Sequence, residues 1–148
     1  MNRTMRAPLD DLFLFLDRSP TMFHATFSIV SRLEKAGFSK LDESDEWSLT
    51  SGAGYYVVRN DSAVIAFRVG RKSPWQSGFM MAGAHTDSPL LKIKPEAESM
   101  GRNVVRVATE IYGGPIAATW LDRNLAVAGR VMVKGKKGWE ARTVDTER

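Results

Sequence analysis

The spacing of apolar residues predicts two helices at the start of the chain. The first covers residues 10–17, and its apolar face consists of Leu9, Leu12, Phe13 and Leu16. A second helix is predicted to begin with Ser19 as its N-cap and Pro20 at its first position. Its apolar positions are Phe23, Phe27, Val30 and Leu33. Gly37 is predicted to end this helix, with Phe38 making the apolar contact that follows a glycine cap.

The pattern then changes to strands. The runs 54–59 and 63–69 are β-rich, and Asn60-Asp61-Ser62 between them predicts a hairpin turn. The run 79–84 is apolar at every position, which indicates a short strand covered on both faces of an α/β sheet. Four more strands are expected at Leu90 to Lys94, Val104 to Ile111, Leu125 to Lys134 and Trp139 to Val144.

Composition limits the function classes. The chain has 148 residues, enough for one ordinary domain or for a small domain and the beginning of another. Its apolar runs are far shorter than the roughly 20 residues that cross a bilayer, so we expect no membrane association and a cytoplasmic location. Because cysteine is absent, histidine and carboxylates are the plausible ligands for a divalent cation.

The net charge of +4 raises the possibility of nucleic-acid binding. The basic residues are scattered, however, and the one dense group, formed by Lys134, Lys136 and Lys137 with Gly135 and Gly138, is typical of a solvated hairpin turn. We therefore expect no nucleic-acid partner.

His85-Thr86-Asp87 is the candidate site. It directly follows the predicted buried strand, and open α/β sheets place their ligands at the carboxyl ends of strands. A carboxylate two residues after a histidine can orient one imidazole nitrogen while the other nitrogen binds metal. Taken alone, this spacing fits a polar turn equally well.

The residues around the motif carry more information. The stretch from Gly83 to Pro89, followed by Leu91-Lys92-Ile93-Lys94-Pro95, resembles the signature of the aspartyl aminopeptidase family of zinc metallopeptidases. Three further segments agree with that family in the same order, and they are Ser19-Pro20-Thr21-x-Phe23-His24-Ala25, Tyr112-Gly113-Gly114-Pro115, and Thr119 to Leu125 with Ala128-Gly129-Arg130-Val131. The resemblance covers nearly the whole chain.

The resemblance implies a two-metal aminopeptidase that releases N-terminal amino acids from peptides, with zinc expected and cobalt or manganese also compatible. It implies that His85 is a metal ligand and that Asp87 is the catalytic residue that orients it. The fold class implied is α/β: residues 1–95 are the N-terminal part of a phosphorylase-like catalytic domain, and residues 96–148 begin an inserted β-rich domain for homo-oligomer formation and closure of the active site.

The ligand count points to an incomplete catalyst. A catalytic zinc site ordinarily takes three protein ligands and a water, whereas this chain has only His24 and His85 as imidazoles. His24 is expected to cap or pack at the start of the second helix. The chain is therefore expected to be a truncated N-terminal fragment, inactive alone, of a longer aminopeptidase. The alternative is a non-catalytic module for subunit association.

Overall fold

The computed structural model describes residues 3–146, which form a mixed α/β structure with small sheets. The elements in order are α1 Arg3–Asp17, α2 Met22–Lys35, β1 Ser39–Lys40, β2 Gly54–Arg59, β3 Ala63–Arg68, α3 Pro74–Ser77, β4 Leu90–Met100, β5 Val105–Tyr112, a 3-10 turn Ala117–Thr119, β6 Ala128–Gly135 and β7 Gly138–Asp145. Strands β1, β2 and β3 form one sheet, in which β1 is parallel and β3 antiparallel to β2. Strands β4 and β5 form an antiparallel pair, as do β6 and β7.

Helix α2 ends as predicted but begins differently. Its C-terminus is a glycine cap: Gly37 has φ 79°, its N–H donates to the Glu34 carbonyl, and the Phe38 N–H donates to the Leu33 carbonyl at 3.0 Å. The N-cap is Thr21, so the prediction of Ser19 at that position is wrong. Thr21 has the extended backbone of an N-cap, and its hydroxyl lies 2.8 Å from Nδ1 of a residue in the first turn, His24.

Helix α1 is longer than its apolar pattern indicates. It begins at Arg3 and continues through Pro8 to Asp17, although proline in a sequence normally indicates a helix boundary. The guanidinium of Arg32 on α2 pairs with the Asp11 carboxylate through two hydrogen bonds of 2.8 and 2.9 Å. Both side chains are about half exposed, so this pair orients α1 against α2 more than it stabilises the fold.

The core lies where α2 covers the three-stranded sheet. Tyr56 is the largest fully buried side chain of the described residues, with 1% of its surface exposed. Its hydroxyl donates a 2.7 Å hydrogen bond to Glu34 of α2, which satisfies the buried phenol. Gly54 allows the Phe38 ring to approach the sheet, because a Cβ at position 54 would come within 2.7 Å of that ring.

Both predicted hairpin turns are confirmed. Asn60 and Asp61 both have φ 55°, the conformation that lets a tight turn follow the twist of β2 and β3. In the later hairpin, Gly135 pairs with Gly138 and the two intervening lysines form the turn. The dense basic group noted in the sequence therefore lies at a hairpin turn, as predicted.

The buried strand expected at residues 79–84 is absent. Phe79, Met80 and Met81 are largely exposed, and none of the sheets within residues 3–146 includes this segment. An apolar run indicates a strand that other elements cover, and nothing in the described part of the chain covers this one. The prediction that His85 follows a strand is wrong for the same reason.

Strand β4 passes through the boundary that the sequence suggested between residues 95 and 96. The strand continues from Leu90 to Met100. Its register with β5 shifts between Ile93 and Glu98, and Glu96 has φ 51°, so the chain bends at this boundary without leaving the strand. No helix among residues 3–146 has the length and apolar character needed to cross a membrane.

The buried Tyr56 predicts a loss of stability in alkali. The hydrogen bond to Glu34, together with burial, raises the pKa of Tyr56 to about 12, compared with 10.0 ordinarily. Above pH 10 the unfolded chain loses this proton before the folded chain does, so the free energy of unfolding should fall by roughly 2 kcal/mol between pH 10 and 12. Urea denaturation at successive pH values measures this fall. In Tyr56→Phe the fall in the free energy of unfolding between pH 10 and 12 should be smaller by that amount. An equal fall in the two proteins would contradict the raised pKa of Tyr56.

Candidate metal centre

The His85-Thr86-Asp87 motif lies in an irregular segment immediately before β4, where contacts with two neighbouring elements hold it. The Thr86 hydroxyl donates a 2.7 Å hydrogen bond to the carbonyl of Ser62, in the turn between β2 and β3. The Tyr112 hydroxyl donates a 2.8 Å hydrogen bond to Oδ2 of Asp87. The motif is thus tied to one sheet on each side.

The imidazole of His85 is oriented by Asp87. Its Nδ1 lies 2.7 Å from the Asp87 carbonyl oxygen and 3.3 Å from Oδ1 of the same residue. Since a carbonyl oxygen only accepts hydrogen bonds, this contact requires the proton on Nδ1. In the neutral ring the lone pair of Nε2 is then available to a metal ion, and the side chain is 79% exposed.

Tyr112 favours the ionised form of the Asp87 carboxylate. Its hydrogen bond is the largest cause that lowers the pKa of Asp87, followed by the Asp87 backbone N–H, while the carboxylate raises the pKa of the Tyr112 phenol. Sequence reasoning missed Tyr112 as part of the site. The register of β4 and β5 places it opposite Leu90, three residues after Asp87, and its only sequence signal was the segment Tyr112-Gly113-Gly114-Pro115.

The second histidine has a different environment. His24 contacts the Thr21 side chain in the first turn of α2 and makes no capping hydrogen bond to the backbone there, which leaves a packing role at the start of the helix. No group of three or more His, Asp or Glu side chains suited to a metal ion occurs in the region that the structure describes. His85 fits a metal ion as one imidazole ligand, and Asp87 fits as the group that orients this ligand.

Comparison with known proteins agrees with the resemblance. The profile of the Aminopeptidase I zinc metalloprotease (M18) family matches residues 15–148. The chain is 50% identical over 142 residues to the "Probable M18 family aminopeptidase 2" of Pseudomonas paraeruginosa, covering 95% of the chain and 33% of that relative. The protein of the same name from Pseudomonas putida (strain ATCC 47054) is 47% identical over 134 residues, covering 90% of the chain and 31% of that relative. The chain spans about a third of the length of the curated relatives it matches.

Solved structures share the fold. A chain in the cryo-EM structure of the Ape4 and Nbr1 complex is 36% identical with a TM-score of 0.83, covering 93% of this chain and 27% of that one. A chain of the S. cerevisiae mApe1 dodecamer is 28% identical with a TM-score of 0.83, covering 93% of this chain and 33% of that one. The match to the family profile and to these relatives shows that the chain belongs to the Aminopeptidase I zinc metalloprotease (M18) family.

Proposed function

We propose that this chain provides the N-terminal part of a metal-dependent aminopeptidase, in which His85 binds one metal ion through Nε2. The observation that carries the proposal is the contact of Nδ1 with the Asp87 carbonyl at 2.7 Å, since it leaves Nε2 free on an exposed side chain. A bound divalent ion, with zinc expected from the family's description, supplies a Lewis acid that polarises the scissile carbonyl and activates water.

The residues of this chain prepare that ligand. Asp87 fixes the tautomer and direction of the His85 ring, and Tyr112 holds the Asp87 carboxylate in place. Such outer partners raise the basicity of a histidine ligand and prevent its ring from turning away. Asp87 therefore acts by positioning His85.

The remaining ligands and the general base are proposed to come from the two thirds of the relatives' length that these residues do not match. On this proposal the chain is inactive alone. Residues 1–95 belong to the catalytic α/β domain and residues 96–148 to a β-rich domain used for oligomer formation and active-site closure. The peptide substrates lose their N-terminal residue, and the similarity to a chain of the mApe1 dodecamer supports a homo-oligomer.

A second candidate function is subunit association without catalysis. It is favoured by the exposed apolar side chains on the two later hairpins, which include Val105, Val107, Ile111, Met132 and Trp139. Faces of this kind commonly mark protein interfaces. Light scattering after size-exclusion chromatography tests it, because a monomer at high concentration contradicts association through these faces.

Replacing His85 should strongly reduce activity. The test protein is a chimera in which this chain replaces the matching residues of the Pseudomonas paraeruginosa relative. We expect the chimera to release N-terminal residues from peptides. A chelator should remove this activity, and added zinc should restore it. His85→Ala should lower kcat/KM at least about 100-fold, since loss of even an outer partner costs 10–100-fold.

His24→Ala is the matched control, because it removes the other imidazole and only a helix-end contact. It should retain most of the activity, because it removes only the contact with the Thr21 side chain. Undiminished peptidase activity in the His85→Ala chimera contradicts the metal role of His85.

Removing the Tyr112 hydroxyl should weaken metal binding. Tyr112→Phe deletes the 2.8 Å hydrogen bond to Asp87 while keeping the ring, so zinc affinity of the chimera should fall about 10-fold. Competition with a chromogenic chelator measures this affinity. Tyr55→Phe is the control, since that hydroxyl accepts a hydrogen bond from Thr50. Equal zinc affinities for the two variants would show that Tyr112 does not support the site.

A further inference from the structure

Arg130 on β6 joins three elements that are distant in sequence. One terminal nitrogen of its guanidinium donates to the Asn60 carbonyl at 2.9 Å and lies 3.3 Å from Oδ2 of Asp61. The guanidinium also lies over the Phe23 ring of α2, 4.3 Å from its centroid. The Arg130 side chain is 26% exposed and that of Asp61 is 71% exposed, so solvent screens the ion pair, and the contacts with the Asn60 carbonyl and the Phe23 ring hold the guanidinium in place.

The turn that Arg130 contacts contains two residues in the left-handed conformation. Asn60 and Asp61 both have φ 55°, which asparagine and aspartate adopt more readily than other residues that carry a Cβ. Contacts from neighbouring elements help to hold such a turn in one geometry. Arg130 supplies a charged donor to both residues of the turn.

The next residue of the same turn holds the candidate metal motif. The Ser62 carbonyl accepts the 2.7 Å hydrogen bond from Thr86, the central residue of His85-Thr86-Asp87. The three consecutive residues of the turn therefore connect Arg130 at one end with the motif at the other.

We propose that Arg130 is a positioning residue that controls the orientation of His85 through the turn formed by residues 60–62. The part of this inference that concerns metal binding rests on the proposed function, whereas the coupling between Arg130 and His85 does not. A shift of the β6–β7 hairpin would displace the turn, and the turn would then release or reorient Thr86.

Arginine suits this position better than lysine. Its planar guanidinium can stack on the Phe23 ring while its terminal nitrogen donates to the turn. Lysine keeps the charge but loses the planar contact. Arg130→Lys should therefore be intermediate between the native chain and Arg130→Gln, which lacks the charge.

NMR of the ¹⁵N-labelled 148-residue chain tests the proposal without metal. The chain has two histidines, so His24 serves as an internal reference for His85. In the native chain we expect the Nδ1–H tautomer of His85 and a backbone order parameter of about 0.85 at Thr86. In Arg130→Gln the His85 ring should become a mixture of tautomers, and the Thr86 order parameter should fall below about 0.6.

Arg142→Gln is the matched control, since Arg142 lies on the facing strand and pairs with Glu140. It should leave both His85 and Thr86 at their native values. Should Arg130→Gln fail to fold, Thr86→Val breaks the other end of the same connection, and His85 should again lose its single tautomer.

Unchanged His85 and Thr86 signals in a folded Arg130→Gln chain overturn the proposal, as does an unchanged His85 ring in Thr86→Val. These NMR signals are measured without metal, so they would be the same if the chimera failed to bind zinc. The two proposals therefore fail separately.

Discussion

The packing of α2 against β2 determines where the rest of the site can lie. Tyr56 is buried between them, and its phenol would be unsatisfied there without the Glu34 carboxylate. A buried donor without a partner costs more than an ordinary hydrogen bond contributes. This contact therefore helps to fix how the helix lies on the sheet, and with it the position of the β2–β3 turn whose Ser62 carbonyl accepts the hydrogen bond from Thr86.

Features that depend on local chemistry could be predicted from the sequence. Gly37 ends α2 and Asn60-Asp61 forms a hairpin turn because each of these residues adopts a positive φ, and Gly138, which has φ 126°, closes the turn after β6 in the same way. The predicted helices and hairpins are confirmed, although α1 begins at Arg3 and β4 continues to Met100, both beyond the ranges that the pattern indicates. The start of α2 was misplaced because Ser19 and Thr21 both suit an N-cap, and only the backbone distinguishes them.

Features that depend on contacts between distant segments could not be predicted in this way. Tyr112 reaches Asp87 only because β5 pairs with β4 in one particular register, and sequence spacing does not reveal strand register. The apolar run at 79–84 predicts a buried strand that the structure does not contain. An apolar run forms a buried strand only where other elements pack on both of its faces, and the run itself does not show whether those elements are present. The His85 motif itself was recognised from its flanking residues, although the strand expected before it is absent.

The pairing pattern also suggests an order of assembly. Within residues 3–146, every sheet pairs strands that are neighbours along the chain, and such local contacts form rapidly because little chain entropy is lost in closing them. Arg130 contacts Asn60 across 70 positions, so its contacts close a much longer loop. During synthesis on a ribosome, the helices and the first hairpin can form before Arg130 has emerged from the exit tunnel. Contacts that close late in assembly add little to the speed of folding, and they act mainly to slow unfolding.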